Sequence, residues 1–153
     1  MPAVRHWSLS SADEMEALGA RFASAIKAGG VVFLYGPLGA GKTTWVRGFL
    51  RARGYGGTVK SPTYTLVESY PLPDGTVHHF DLYRLGDPEE LEYMGVRDYF
   101  ADGMLCLVEW PERGTGIIVD ADITLTLAYS DDGRLLSADA GSEKGREILS
   151  QLD

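Results

Sequence analysis

An α/β fold, three layers deep around a mixed sheet with antiparallel hairpins, is what this sequence predicts. Three observations carry the prediction. Val31-Val32-Phe33-Leu34-Tyr35 and Met104-Leu105-Cys106-Leu107-Val108 are short continuous apolar runs, the pattern of strands buried on both faces. Met15, Leu18, Phe22 and Ile26 recur at helical spacing just before the first run, so a helix packs beside it. Pro73-Asp74-Gly75 and Asp132-Gly133 sit between alternating segments and read as hairpin turns.

The elements follow in order. Met1 to Trp7 lacks an apolar core of signal-peptide length. Ser11 with Glu14 fits a capping box at the start of the first helix, and Gly29-Gly30 ends it. The strand 31–35 follows. Gly36-Pro37-Leu38-Gly39-Ala40-Gly41-Lys42-Thr43 is next, then a helix predicted over Thr44 to Arg53. Gly54-Tyr55-Gly56-Gly57 is a flexible break. The later part of Thr58 to Tyr70 is β-rich and reads as a strand, with Ser61-Pro62-Thr63 a stiff turn at its mouth. After the hairpin signal, Val77 to Tyr83 is the return strand. Asp87 to Gly95 predicts a short acidic helix with Asp87 as N-cap and Pro88 in the first turn, and Val96 to Ala101 a further turn or two. Met104 to Trp110 is the second buried strand, and Glu112 to Gly116 a loop. Ile123 to Tyr129 and Arg134 to Ala138 form the second hairpin, and Ser142 to Leu152 a terminal helix.

The totals bound what such a fold can do. The 153 residues predict a single domain, 1–153, burying about two-thirds of its unfolded surface. No apolar run approaches ~18 residues, so no membrane span or membrane partner is expected. Cys106 is the one cysteine and cannot pair internally, which suits a cytoplasmic protein. The net charge is −8, whereas a protein that grips nucleic acid by itself is usually basic. The charge is uneven. From Lys42 to Lys60 there are five basic residues and no acidic one, and from Glu68 to Glu112 eleven acidic and two basic. Such a dipolar surface suits docking to a complementary partner, and two ordinary solvated faces would look the same.

The chemistry starts at residues 36–43, which read G-x-x-x-x-G-K-T. A strand precedes and a helix follows, the context that turns this pattern into a P-loop. The predicted sandwich is therefore of the P-loop NTPase kind. Its glycines let backbone N–H groups turn inward on an anion, and the helix adds its positive end. Pro37, Leu38, Gly39, Ala40, Gly41, Lys42, Thr43 and Thr44 are the expected nucleotide contacts, Lys42 on the β- and γ-phosphates and Thr43 on Mg²⁺. Asp81 is a carboxylate amid apolar neighbours and should be paired, metal-facing or catalytic; Arg84 is a candidate partner. Glu109 ends the second buried strand and fits the acid that sits near Mg²⁺ beside a P-loop. Trp110 borders the site, either against a nucleotide or closing the core. Thr63 stands where such proteins sense the γ-phosphate, though an ordinary polar loop accounts for it as well. His78 and His79 point to opposite faces and cannot jointly grip a metal; both read as non-ligands, with His79 on the phosphate side.

Taken together, 36–44, Ser61-Pro62-Thr63-Tyr64-Thr65-Leu66-Val67-Glu68, His79-Phe80-Asp81-Leu82-Tyr83-Arg84, Glu89-Glu90-Leu91-Glu92 and Glu109-Trp110-Pro111 closely resemble the bacterial TsaE (YjeE) family. The resemblance implies a small cytoplasmic ATPase needed for threonylcarbamoyladenosine, a modified base beside the anticodon of tRNAs that read codons beginning with adenine. It implies binding to the TsaB–TsaD complex, with ATP hydrolysis resetting that complex between turnovers, and contact with tRNA only through it. It further implies Thr43 and Glu109 on Mg²⁺, Lys42 on the phosphates, Asp81 as a catalytic carboxylate and Thr63 on a switch-like loop. Ser11 matches a position near the nucleotide. Pro37 departs from the family, where an acidic residue is common, and removes one amide donor.

Other classes fit less well. A small-molecule kinase would need an Arg-rich lid that is not evident. A GTPase reads guanine with Asn-Lys-x-Asp, and this chain has no asparagine. A non-hydrolysing nucleotide-binding module remains a competing reading. With no obvious arginine finger, turnover by the chain alone is expected to be slow.

Overall fold

A computed structural model describes residues 4–101 and 103–152. Met1 to Ala3 of the N-terminal stretch, Asp102 of the acidic stretch and Asp153 lie outside the described residues. The elements are β1 (Val4–Leu9), α1 (Ala12–Ala25), β2 (Gly30–Tyr35), α2 (Lys42–Ala52), β3 (Val67–Leu72), β4 (Gly75–Asp81), α3 (Glu89–Tyr93), α4 (Val96–Tyr99), β5 (Leu105–Glu109), a 3₁₀ turn (Pro111–Gly114), β6 (Ile123–Ser130), β7 (Gly133–Ala140) and α5 (Glu143–Ser150). The strands form one sheet in the order β1-β7-β6-β2-β5-β4-β3. β2 runs parallel to both β5 and β6, and β4 parallel to β5. Antiparallel pairs finish both sides, β3 on β4 and β6–β7–β1.

The two buried runs cover the sheet on both faces by alternation. Val32, Leu34, Leu105 and Leu107 face a core with Phe22, Trp45 and Phe49 of α1 and α2 and Ile148 of α5. Val31, Cys106 and Val108 face a smaller core with Leu91 and Val96 of α3 and α4. These are the three predicted layers. Cys106 donates to Tyr99 O at 3.0 Å, and burial pushes its thiol up to about 12, so it is an inert core residue.

Several expectations shift. β1 was not visible as a strand; it pairs with β7 on the sheet edge, where Arg5, His6 and Ser8 dilute the apolar signal. β3 begins only at Val67, because Leu66 turns the chain with a φ of 69°. It carries Pro71, which an edge strand tolerates. α2 starts two residues earlier than expected, so Lys42 and Thr43 belong to its first turn. Ser11 caps α1 as expected, accepting from Glu14 N at 3.1 Å. Glu14 reaches back one residue further than a capping box requires, to Ser10 N at 2.8 Å. Asp87 accepts from Glu89 N at 3.0 Å and so caps α3, although Pro88 stands nearer the helix.

α1 and α2 touch backbone to backbone. A Cβ on Gly48 would lie 2.0 Å from Glu16 O, and one on Gly19 2.2 Å from Trp45 O. Replacing Gly48 by Ala adds ~1 kcal/mol of helix propensity, but the clash is with a main chain that cannot step aside. Gly48→Ala should therefore lose about 2 kcal/mol net, read as a lower urea midpoint at unchanged m-value.

Candidate functional site

β2, β4 and β5 end at the same edge of the sheet, and each ends in chemistry. The register sets Leu34 beside Glu109 and Asp81 beside Glu109. Parity along the strands puts His79, Asp81 and Glu109 on the face that carries α2. Among the described residues the buried charged or histidine side chains are Lys42, His78, His79, Asp81 and Glu109. All but His78 converge here. His78 faces the other layer, where it meets Ser69 Oγ at 2.7 Å and the Tyr99 ring. Buried charge is costly unless paired, so such a cluster marks a site.

The loop 36–41 is shaped by glycine where a side chain cannot go. Gly39 and Gly41 have φ of 79° and 110°, in the left-handed region. A Cβ on Gly41 would also meet Met15 Cε at 2.9 Å. Gly41 is the N-cap of α2 and offers no side chain, so the first-turn amides have no cap. By contrast, Ser11 and Ser142 cap α1 and α5. An uncapped helix start facing a cavity is an anion site in waiting.

The side chains around it are held as follows. Lys42 Nζ donates to Gly36 O and lies 3.9 Å from the centre of the Trp110 ring. Burial pulls its pKa below the ordinary 10.5, against the opposing pull of Glu109, Asp81 and Glu112. Thr43 Oγ1 donates to Glu109 Oε2 at 3.1 Å. His79 Nε2 donates to the same oxygen at 2.7 Å. Asp81 accepts from the Ser61 hydroxyl, from Thr63 Oγ1 at 3.3 Å and from Tyr83 N at 3.0 Å. Arg84 is not its partner, contrary to expectation. The guanidinium lies over Tyr64, 4.6 Å from the ring centre, because a residue three past a strand end has already turned away.

Two cavities meet at the loop. One, of about 450 Å³, is lined by Leu38, Gly39, Gly41, Lys42, Thr43, Thr44, Ser61, Thr63, Asp81, Tyr83, Arg84, Glu109 and Trp110. The other, of about 290 Å³, lies across Gly39, Ala40, Gly41 and Thr44 from the first and is walled by Leu9, Ser10, Ser11, Met15 and Arg134. Of the residues expected on a nucleotide, Pro37 alone lines neither; its carbonyl accepts from Ala40 N at 3.2 Å. Thr43 and Glu109 present hard oxygens side by side, a donor pair that suits Mg²⁺, whose remaining positions phosphate and water can fill.

Some participants escaped the sequence reading. Ser61 was only part of a stiff turn, yet it reaches Asp81. Tyr129 and Arg134 flank the distant β6–β7 turn, yet Tyr129 Oη donates to Leu38 O at 2.6 Å and Arg134 to Gly39 O at 3.2 Å. No local pattern signals a tie spanning some ninety residues.

A parallel core with a glycine loop feeding an uncapped helix, and acids on the neighbouring strand ends, defines a P-loop NTPase-like fold. The particular lineage is equally plain. A family model described as threonylcarbamoyl adenosine biosynthesis protein TsaE matches residues 9–136, and the chain belongs to that family. A Haemophilus influenzae protein named tRNA threonylcarbamoyladenosine biosynthesis protein TsaE is 53% identical over 120 residues, 78% of this chain and 76% of its own. A Bacillus subtilis protein of the same name is 40% identical over 104 residues, 68% of this chain and 65% of its own. The crystal structure of Bacillus subtilis YdiB superposes with a TM-score of 0.83 at 27% identity, covering 99% of this chain and 95% of that one.

Tyr129→Phe removes a tie on the loop and nothing else. At about 1 kcal/mol for a net hydrogen bond, amide exchange over 38–41 should quicken by about fivefold while the melting temperature hardly moves.

Proposed function

We propose that this chain is a Mg²⁺-dependent ATPase serving threonylcarbamoyladenosine synthesis on tRNAs that read codons beginning with adenine. In this reading it works in the cytoplasm, binds a TsaB–TsaD complex and hydrolyses ATP to reset it, touching tRNA only through that complex. The observation that carries it is the uncapped start of α2, set with Lys42 and Thr43 across from Asp81 and Glu109. The names of the relatives support the pathway.

The roles follow from the chain's own groups. The polyphosphate would lie in the larger cavity, with the loop amides and Lys42 on its oxygens. Lys42 would exchange the Gly36 carbonyl and the Trp110 face for phosphate. The base and ribose would turn into the smaller cavity, between Leu9, Met15 and Ser11. Thr43 and Glu109 would hold Mg²⁺, which neutralises developing charge on the phosphoryl group when bound. Asp81, held by Ser61, Thr63 and the Tyr83 amide, would orient or deprotonate the attacking water. Arg84 borders the cavity as the cation available in cis; otherwise a partner supplies one.

Phosphate release with and without TsaB–TsaD tests the whole reading. Lys42→Ala should lose turnover by about a hundredfold or more, the cost of removing one preorganised charge; normal turnover in that variant would refute it. ATP should outcompete GTP in calorimetry.

The lowered Lys42 pKa adds a pH signature. Only the ammonium form clamps phosphate. Above the free-state pKa, binding must also take up a proton. Affinity should thus hold at neutral pH and fall as pH rises through a value below 10.5, measured by calorimetry across the alkaline range; Lys42→Ala should lack that fall.

A further inference from the structure

We propose that His79 is a positioning residue that fixes the rotation of the Glu109 carboxylate; this rests on the nucleotide reading above. His79 is fully buried, at 0% exposure, in the middle of β4. Its Nε2–H donates to Glu109 Oε2 at 2.7 Å, from one strand to the next. Glu109 is itself buried, and a buried carboxylate needs fixed donors. Among the described residues it has two, His79 and the Thr43 hydroxyl. The Thr43 hydroxyl is the group a cation would claim. His79 is then the donor that stays. A charge-assisted bond of this length also selects one of the two oxygens. Oε2 is occupied by the imidazole, and Oε1 is left to face a cation or a water.

The other ring nitrogen makes the case against a merely space-filling histidine. His79 Nδ1 is buried with no hydrogen-bond partner. Leaving a polar atom orphaned costs stability, and an apolar residue would avoid it. Native chains keep such atoms chiefly where a function needs the group. Here the strand pairing supplies that function, because His79 and Glu109 sit on adjacent parallel strands whose register cannot slip.

The test compares wild type, H79Q and H79L. Gln can place an amide N–H near the Nε2 position, and Leu cannot. ADP affinity is measured in EDTA by calorimetry, and Mn²⁺ affinity of the ADP complex by electron paramagnetic resonance. H79L should hold ADP in EDTA within about twofold of wild type, yet lose Mn²⁺ affinity by about tenfold or more, the usual effect of removing a group that orients a metal ligand. H79Q should recover most of it. Mn²⁺ binding by H79L equal to wild type, or H79Q as weak as H79L, would overturn the proposal. Should H79L fail to fold, the ring ¹⁵N spectrum of the wild type still decides. The proton must sit on Nε2, and a ring protonated on Nδ1 alone overturns it. If wild type binds no ADP, or Lys42→Ala binds it as well as wild type, the nucleotide reading itself falls, and this inference with it.

Discussion

Parallel pairing of β4, β5 and β2 is the interaction on which the site depends. It carries three strand ends to one edge of the sheet, and it does so with backbone hydrogen bonds that leave no freedom of register. A slip of one residue would send Asp81 and Glu109 to the opposite face, away from α2. Both faces of these strands are covered by apolar side chains, so the alternation is enforced twice. Everything polar at the edge is then a consequence. The loop leaves β2 where the two acids arrive, and Gly41 starts a helix whose first turn lines one cavity with them.

The charge balance at this edge explains its composition. Asp81 and Glu109 are side by side, and like charges so placed repel. Lys42 is the cation between them and the loop, held by a carbonyl and an aromatic face rather than by either carboxylate. Beside the His79 imidazole on Glu109, hydroxyls and one amide do the remaining work on the acids, from Ser61, Thr63, Thr43 and Tyr83. Such partners stabilise a carboxylate without neutralising it. In the proposed reading a polyphosphate would bring further negative charge into this edge, and a divalent cation beside Thr43 would offset it. Neutral partners leave the acids able to accept one.

Much of this was legible in the chain, for a physical reason. The P-loop, the cap at Ser11 and the Pro73-Asp74-Gly75 turn are local, and local geometry needs only a few neighbouring residues. Apolar continuity in 31–35 and 104–108 revealed the two buried strands, which pair in parallel. Glu109 was legible because its place follows from the strand it ends. What stayed hidden is non-local. β1 is half-exposed and takes its order from β7. Asp81 gave away that it needed a partner but not which one, since Ser61 comes from a loop twenty residues back, while the nearby Arg84 turned to Tyr64. His79 could be placed on the phosphate side by alternation, yet its bond to Glu109 depends on which strands are neighbours.

The contact of Gly19 and Gly48 with facing main chain bears on how this molecule can move. Two helices whose backbones rest on one another cannot slide, so α1 and α2 form a fixed jaw, carrying Ser11 on one and Lys42 on the other. Breathing of the cleft must then come from the opposite side, where Ser61 and Thr63 reach across to Asp81 on side-chain ties. A protein docking there could set the aperture from outside, without disturbing the rigid half.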